Sequence, residues 1–263
     1  MIASIINSSL ALARRSIVMQ IKQHALGYAW TLIIPMLYAA CYIFVKRQLN
    51  GEATHTVEGS WDVLRAFAGI TLFQCWMHMV QETSEFIRRN RGLLKGMNVG
   101  PVPFVLAVAF EGIIALVIRV VLILIAVPVL GLTLPTDISS WLWFFCSLIA
   151  LLISATMLGL LLAPWAVLYA DVRKGLSSIS LPMILISPIF YAALEQKSGA
   201  LFWVNVFNPI ASPLAAISRS LRGEESVYML PMLIAMGVSL LVLCWLIKSL
   251  SRQVPILLER MGN

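Results

Sequence analysis

One short segment, Arg88 to Pro101, holds a dense positive charge between two long apolar runs. Its four basic residues are Arg88, Arg89, Arg91 and Lys95. Two acids, Glu82 and Glu85, lie just upstream. Because basic residues between apolar spans stay on the cytoplasmic side of a membrane, we expect the segment 83–100 to be cytoplasmic. It also has enough apolar residues to form a short amphipathic helix that a cytoplasmic partner can bind.

The composition supports a protein that crosses the membrane several times. Of the 263 residues, 60% are hydrophobic and 12% are charged, about half of the roughly 25% charge of a soluble domain. The net charge of +7 then reflects cytoplasmic loops and contact with anionic lipids, and nucleic acid is not an expected partner. The four cysteines and three histidines do not have the spacing of metal ligands, so no metal site is predicted.

A helix crosses a bilayer in roughly 20 apolar residues, and the chain has several runs of that length. We predict an all-α integral membrane protein with both termini in the cytoplasm. Its six transmembrane helices are predicted at about 26–45, 61–82, 101–127, 145–167, 176–194 and 227–247. This layout puts most Lys and Arg residues on the cytoplasmic side, as the positive-inside rule requires.

The first 24 residues form a different pattern, in which apolar side chains recur at steps of four and seven. Arg14 and Arg15 lie off this stripe. The pattern predicts that residues 1–24 form an amphipathic helix in the membrane interface, ahead of a transmembrane domain at 25–263. A frayed cytoplasmic tail is the alternative interpretation.

The segment 198–222 is long enough to span the membrane but contains Asn205, Asn208 and Pro209. Irregular backbone is tolerated at membrane depth only where it is buried in protein or lines a cavity. If the segment crossed, the basic C-terminal tail would face away from the other basic segments. We therefore predict a re-entrant hairpin that enters from the outer face and returns at Arg219 and Arg222.

Two charged residues, Glu111 and Arg119, lie inside the predicted span 101–127. They are eight residues, and so about 12 Å, apart along a helix axis, too far for a pair within one helix. Each therefore needs a partner on another helix, a water-filled cavity or the interface. A role in a transport path and a purely structural pairing both remain open.

The sequence has no motif for catalysis by this chain alone. It contains no GxxxxGK[ST] phosphate loop, no GxSxG and no HExxH. Its predicted loops have fewer than about 35 residues, too few for a folded catalytic module. We therefore do not expect the chain to be an enzyme by itself.

Two motifs in the first half of the chain match the pattern of a known family. The pattern LGxxWxxxxP is formed by Leu26, Gly27, Trp30 and Pro35. The basic segment ends in a proline, as RGLLKGMNVGPVP.

Two further motifs follow in the second half. A polar turn with Asp171 and Arg173 leads to the pattern SPxxY at Ser187, Pro188 and Tyr191. The pattern NPxxxxxxxxR is formed by Asn208, Pro209 and Arg219. In this order the four motifs resemble the membrane subunit of ABC-2 type transporters, and specifically the polysaccharide-export permeases. The turn departs from that family's usual order, in which Arg directly precedes Asp.

The resemblance implies a homodimer bound to two copies of a separate ATPase in the bacterial cytoplasmic (inner) membrane. The ATPase would bind ATP and Mg, and this chain would need no cofactor of its own. A lipid-linked polysaccharide, such as O-antigen, capsule or teichoic acid, would be threaded outward. The residues expected to couple to the ATPase are Arg14, Arg15, Glu85, Arg88, Arg89, Arg91 and Lys95.

Aromatic side chains can stack on sugar rings without a fixed hydrogen-bond pattern, which suits a glycan path. The candidates for that path are Tyr28, Trp30, Tyr38, Tyr42, Phe190 and Tyr191. Packing or interface anchoring is the alternative role for each. The rival functions are an ABC-2 exporter of small lipophilic compounds, a proton-coupled transporter that uses Glu111, and a membrane-embedded glycan-modifying enzyme.

Overall fold

The computed structural model describes residues 2–23, 30–50, 57–96, 100–193 and 199–260. Within these ranges the chain forms helices joined by short turns, and no strand is present. The helices are α1 Ile2–Gln23, α2 Trp30–Asn50, α3 Val57–Arg89, α4 Arg91–Gly96, α5 Val102–Val129, α6 Ile138–Leu168, α7 Asp171–Ile186, α8 Ala200–Phe207, α9 Ala211–Arg222 and α10 Met229–Arg260. The predicted all-α class is confirmed.

Four of the described helices, α3, α5, α6 and α10, are long and apolar enough to cross a membrane. The pair α8 and α9 passes the same test when taken together, but it is bent by 99°. The described part of the chain therefore has four candidate spans, or five if the bent pair is one span. A multi-pass membrane fold is confirmed, while the count of six spans and the position of both termini stay predictions.

The predicted span 26–45 coincides in part with α2, and residues 26–29 lie outside the described ranges. The run predicted to span at 145–167 belongs to one continuous helix, α6, of 31 residues. The last predicted span likewise belongs to a longer helix, since α10 continues from Met229 to Arg260.

The predicted span 176–194 is the one whose structure differs most from a continuous helix. Helix α7 has 16 residues, about 24 Å, against the roughly 30 Å of a bilayer core. It ends at Ile186 because Pro188 disfavours the helical conformation of the residue before it. Ser187 is accordingly extended, with φ −76° and ψ 150°, and turns continue the chain to Ala193.

Helix α3 lies at the centre of the fold and contacts α2, α4, α5, α6, α7 and α9. Large side chains are buried around it, including Phe73, Trp76 and Phe86. The Trp76 indole N–H donates a 3.0 Å hydrogen bond to Ser154 Oγ on α6, so this buried polar group is satisfied. The long apolar side chains of α5 and α10 are by contrast largely exposed, as expected of helices that face lipid.

The charges of α3 lie toward its two ends. Asp62 and Arg65 lie near its start, whereas Glu82 to Arg89 form its last two turns. The uncharged stretch between Arg65 and Glu82 rises about 26 Å, close to the thickness of a bilayer core. We call these the Asp62 end and the Glu82 end of α3.

Helix α1 packs on α5 through small side chains. Ser9 and Ala13 are buried, while Ile6 and Leu10 of the predicted apolar stripe are exposed. Small residues allow two helices to approach closely, and these two apolar side chains are left exposed. A helix over residues 2–23 agrees with the predicted interface helix, and its position in a membrane stays a prediction.

Candidate functional site

At the Glu82 end of α3, a cluster of ion pairs joins two helices. The Glu85 carboxylate, with its side chain only 8% exposed, accepts hydrogen bonds from Arg88 at 3.0 Å and from Arg173 of α7 at 3.1 Å. Glu82 pairs with Arg89 in the same turns. We call these five residues the charged cluster. A buried carboxylate needs this compensation, because an unpaired charge in the interior is costly.

Helix polarity favours the charged cluster as well. Arg88 and Arg89 lie in the last turn of α3, where positive charge is stabilised by the helix dipole. Asp171 begins α7, where negative charge is stabilised. The predicted polar turn is therefore the first turn of α7, and the partner of Arg173 is Glu85.

The predicted cytoplasmic segment 83–100 lies on two helices over residues 83–96, and residues 97–99 lie outside the described ranges. Residues up to Arg89 continue α3, and α4 carries Arg91 and Lys95. Asn90 separates them and donates a side-chain hydrogen bond to the Phe86 carbonyl at 2.9 Å. Leu94 is buried against Phe86 and Phe104, whereas Lys95 is exposed. The short helix is thus amphipathic as predicted, but two of the four basic residues belong to α3.

A cleft of about 390 Å³ opens between α1, α4, the end of α3 and the start of α5. Arg15 of α1, Arg89 of α3 and Glu111 of α5 all line it. Ser16 Oγ donates a 3.0 Å hydrogen bond to the Glu111 carboxylate. The acid inside the predicted span 101–127 therefore has its partner on α1. Glu111 is nine residues into α5, about 14 Å from its start. Arg14 is exposed and does not line this cleft.

Arg119 lies apart from Glu111. Its side chain is buried at 5% exposure, and one Nη donates a 3.0 Å hydrogen bond to the Ala115 carbonyl of its own helix. Its Nε has no hydrogen-bond partner among the described residues. The two intramembrane charges therefore do not form one site.

At the opposite side of the fold, two of the sequence motifs meet. Asn208 Nδ2 donates a 3.1 Å hydrogen bond to the buried Ser187 Oγ. The Tyr191 hydroxyl lies 3.3 Å from Asn205 Oδ1 and also contacts the Ile186 carbonyl. The SPxxY and NPxxxxxxxxR motifs thus form one hydrogen-bonded joint, which we call the motif joint.

The motif joint explains the bend between α8 and α9. Asn208 ends α8, and its side-chain oxygen accepts the N–H of Ile210 at 3.3 Å. Pro209 has no N–H and cannot continue the helical hydrogen bonds. The result is the 99° angle between the two helices. This geometry fits either a broken span or a re-entrant segment, so the predicted re-entrant hairpin at 198–222 stays a prediction. Arg219 is on α9 and pairs with Glu224.

The aromatic candidates are only partly brought together. Tyr42 of α2 and Phe190 stack with ring centroids 5.6 Å apart. Trp30 and Tyr38 are exposed on α2. Tyr191 belongs to the motif joint, and Tyr28 lies outside the described residues.

Replacing Asn208 by alanine is expected to destabilise the bend, because Ser187 and the Ile210 N–H each lose a partner. The coupling energy between Asn208→Ala and Ser187→Ala should be about 0.5–1.5 kcal/mol in a double-mutant cycle of unfolding free energies. Gln253→Ala is the control, since it removes an exposed side-chain hydrogen bond to Ser249. Additive effects of the two substitutions would contradict the motif joint.

Sequence reasoning missed Ser16, Ser154 and Trp61 as contact residues. A serine in a helix carries no local signal that it will meet an acid 95 positions away. Trp61 lies at the start of the predicted span 61–82, and nothing in the local sequence shows that the Arg222 guanidinium lies 5.3 Å from its ring centroid.

Comparison with protein families gives a match over most of the chain. A model of the family described as ABC-2 type transporter matches residues 8–221, from α1 through most of α9. No curated protein matches the chain.

Proposed function

The chain belongs to the ABC-2 type transporter family, and we propose that it is the permease of an ATP-driven exporter of a lipid-linked cell-surface polysaccharide. Membership makes it a multi-pass transporter subunit that works with an ABC ATPase. The polysaccharide-export class, a homodimer with two ATPase copies and the bacterial inner membrane are part of the proposal. So is the assignment of the Glu82 end of α3 to the cytoplasm.

The proposed ATPase contact is the Glu82 end of α3 together with α4 and α1. Exposed arginine and lysine side chains there can attract an acidic surface on a partner. The exposed residues are Arg14, Arg15, Arg88, Arg89 and Lys95, and Arg91 is half-buried. Because Glu85 binds both Arg88 and Arg173, a displacement of this end is transmitted directly to α7.

The observation that carries the cargo proposal is the uncovered surface of α2 and α7. None of the 16 residues of α7 is buried within the single chain. Trp30 and Tyr38 are exposed on α2, and the Tyr42–Phe190 stack lies where α2 meets the segment after α7. We propose that a second copy faces these helices and that the aromatic side chains line the path of the glycan between the copies.

The test is a null mutant of this chain, with the surface glycan located in the cell and restored by the wild-type sequence. Lipid-linked polymer trapped on the cytoplasmic side is the expected result. A normal amount of surface glycan would contradict the polysaccharide cargo and would favour the exporter of small lipophilic compounds. A permease for either cargo requires the ATPase, so transport without ATP would contradict both.

A further inference from the structure

Three arginines surround one small pocket at the Asp62 end of α3. Arg65 comes from α3, whereas Arg219 and Arg222 come from α9, and Trp61 forms a wall. The pocket has a volume of about 40 Å³, room for roughly three waters. A phosphate or carboxylate group has a similar size. Three guanidinium groups around such a space create a strong preference for an anion.

The acids that pair with these arginines lie outside the lining of the pocket. Arg222 contacts Glu58 at 3.4 Å, and the Glu58 side chain is 79% exposed. Arg219 pairs with Glu224, which is also exposed. Exposed ion pairs contribute only about 0–1 kcal/mol. An anion inside the pocket can therefore replace these carboxylates at little cost.

Arg65 has a donor that the chain leaves unused. Its side chain is only 12% exposed, and one Nη pairs with Asp62 at 2.8 Å. Its Nε is buried and has no hydrogen-bond partner in the described part of the chain. Burying a donor without a partner costs about 1–3 kcal/mol. Nε would gain a partner if the guanidinium turned toward a ligand oxygen in the pocket.

Trp61 adds a flat apolar surface beside the charge. The Arg222 guanidinium lies over its ring, with the carbon atom 5.3 Å from the centroid. Cation–π contact holds the arginine in place, and the indole can contact whatever carries the anionic group. The combination suits an anion attached to a larger body better than a free inorganic ion.

We propose that this pocket is a binding site for a phosphate or carboxylate group borne by a sugar or by a lipid headgroup. Arg65, Arg219 and Arg222 hold the oxygen atoms, and Trp61 contacts the attached group. The site does not depend on the polysaccharide cargo proposed above. Binding weakens the Arg222–Glu58 pair that joins α9 to α3, so occupancy and the contact between these helices are linked.

The experiment uses the full-length chain in phosphatidylcholine nanodiscs. Glucose 1-phosphate is titrated by saturation-transfer NMR, and added phosphatidylglycerol is followed by native mass spectrometry. Arg65→Gln and Arg222→Gln should each weaken binding about tenfold or more, since hydrogen bonds to charged groups are the strong ones. Arg252→Gln, a substitution at an exposed arginine of α10, should leave binding unchanged.

Glu58→Gln is a further variant, chosen because this exposed side chain can change without disturbing the fold. It removes a competing carboxylate and should tighten binding a few-fold, since an exposed pair contributes up to about 1 kcal/mol. Tighter binding of glucose 1-phosphate identifies a sugar-borne group, and tighter binding of phosphatidylglycerol identifies a lipid. The proposed site would be overturned if the wild type bound neither probe. It would also be overturned if the wild type and all variants bound the probes equally well.

Discussion

Reversing Arg88 and Arg89 to glutamate is expected to abolish export while the chain still inserts into the membrane. Arg88 is a partner of the buried Glu85, and Arg89 is the partner of Glu82. Reversal would put four carboxylates into the last two turns of α3, where like charges repel and the helix dipole disfavours them. Removing a partner of a buried ion typically costs a few kcal/mol. Arg91 and Lys95 remain and keep the orientation signal.

Export and ATP hydrolysis are measured together in this variant. Hydrolysis by the ATPase should continue while transported glycan falls at least about tenfold, a loss equivalent to about 1.4 kcal/mol. The matched control is Lys248→Glu with Arg252→Glu, which makes the same change of charge at exposed positions of α10. Unchanged export in the Arg88 and Arg89 variant, or an equal loss in the control, would contradict the coupling role.

Replacing Gly159 by alanine is expected to destabilise the contact between α3 and α6. A Cβ at this position would lie 2.9 Å from the Val80 carbonyl oxygen and would overlap the Thr83 side chain. The carbonyl is part of α3 and cannot rotate away. Overpacking of this kind costs about 1–3 kcal/mol, which exceeds the gain in helix propensity of about 1 kcal/mol from Gly to Ala.

Two other helical glycines provide the controls. Gly112→Ala would meet the Met79 side chain, with no backbone atom among its three nearest neighbours, and Gly237→Ala would meet nothing within 4 Å. All three substitutions change helix propensity equally, so their differences report packing. The midpoint of thermal unfolding should rise or stay equal for Gly237→Ala, change little for Gly112→Ala and fall for Gly159→Ala. A Gly159→Ala midpoint as high as that of Gly237→Ala would rule out the close contact.

The positions of the helices follow largely from local signals. The span predicted at 101–127 is α5 at Val102–Val129, because prolines and the end of the apolar run mark its limits. The prolines of the NP and SP motifs likewise mark real interruptions at Pro209 and Pro188. What local signals do not fix is how far a helix continues past the membrane. α3 therefore includes Arg88 and Arg89, which the charge pattern assigned to a separate segment.

The contacts of the candidate site could not be predicted in the same way. Arg173 meets Glu85 across 88 positions, and Ser16 meets Glu111 across 95. Pairings at such separations depend on how the helices pack. A single sequence contains many pairs of residues whose charges would allow them to bind each other, and it does not show which of them meet. The spacing of Glu111 and Arg119 correctly excluded a pair within one helix. The spacing could not predict that Arg119 would donate a hydrogen bond to a backbone carbonyl of its own helix.

The central position of α3 has a mechanical consequence. From Asp62 to Glu85 this helix rises about 35 Å, and α3 as a whole contacts at least six of the other described helices. Since a straight helix moves as a rigid rod, a tilt of about 10° at the Glu82 end would shift the Asp62 end by about 6 Å. A partner that tilts α3 at one membrane surface could thus move the groups at the other surface, because both ends belong to a single helix.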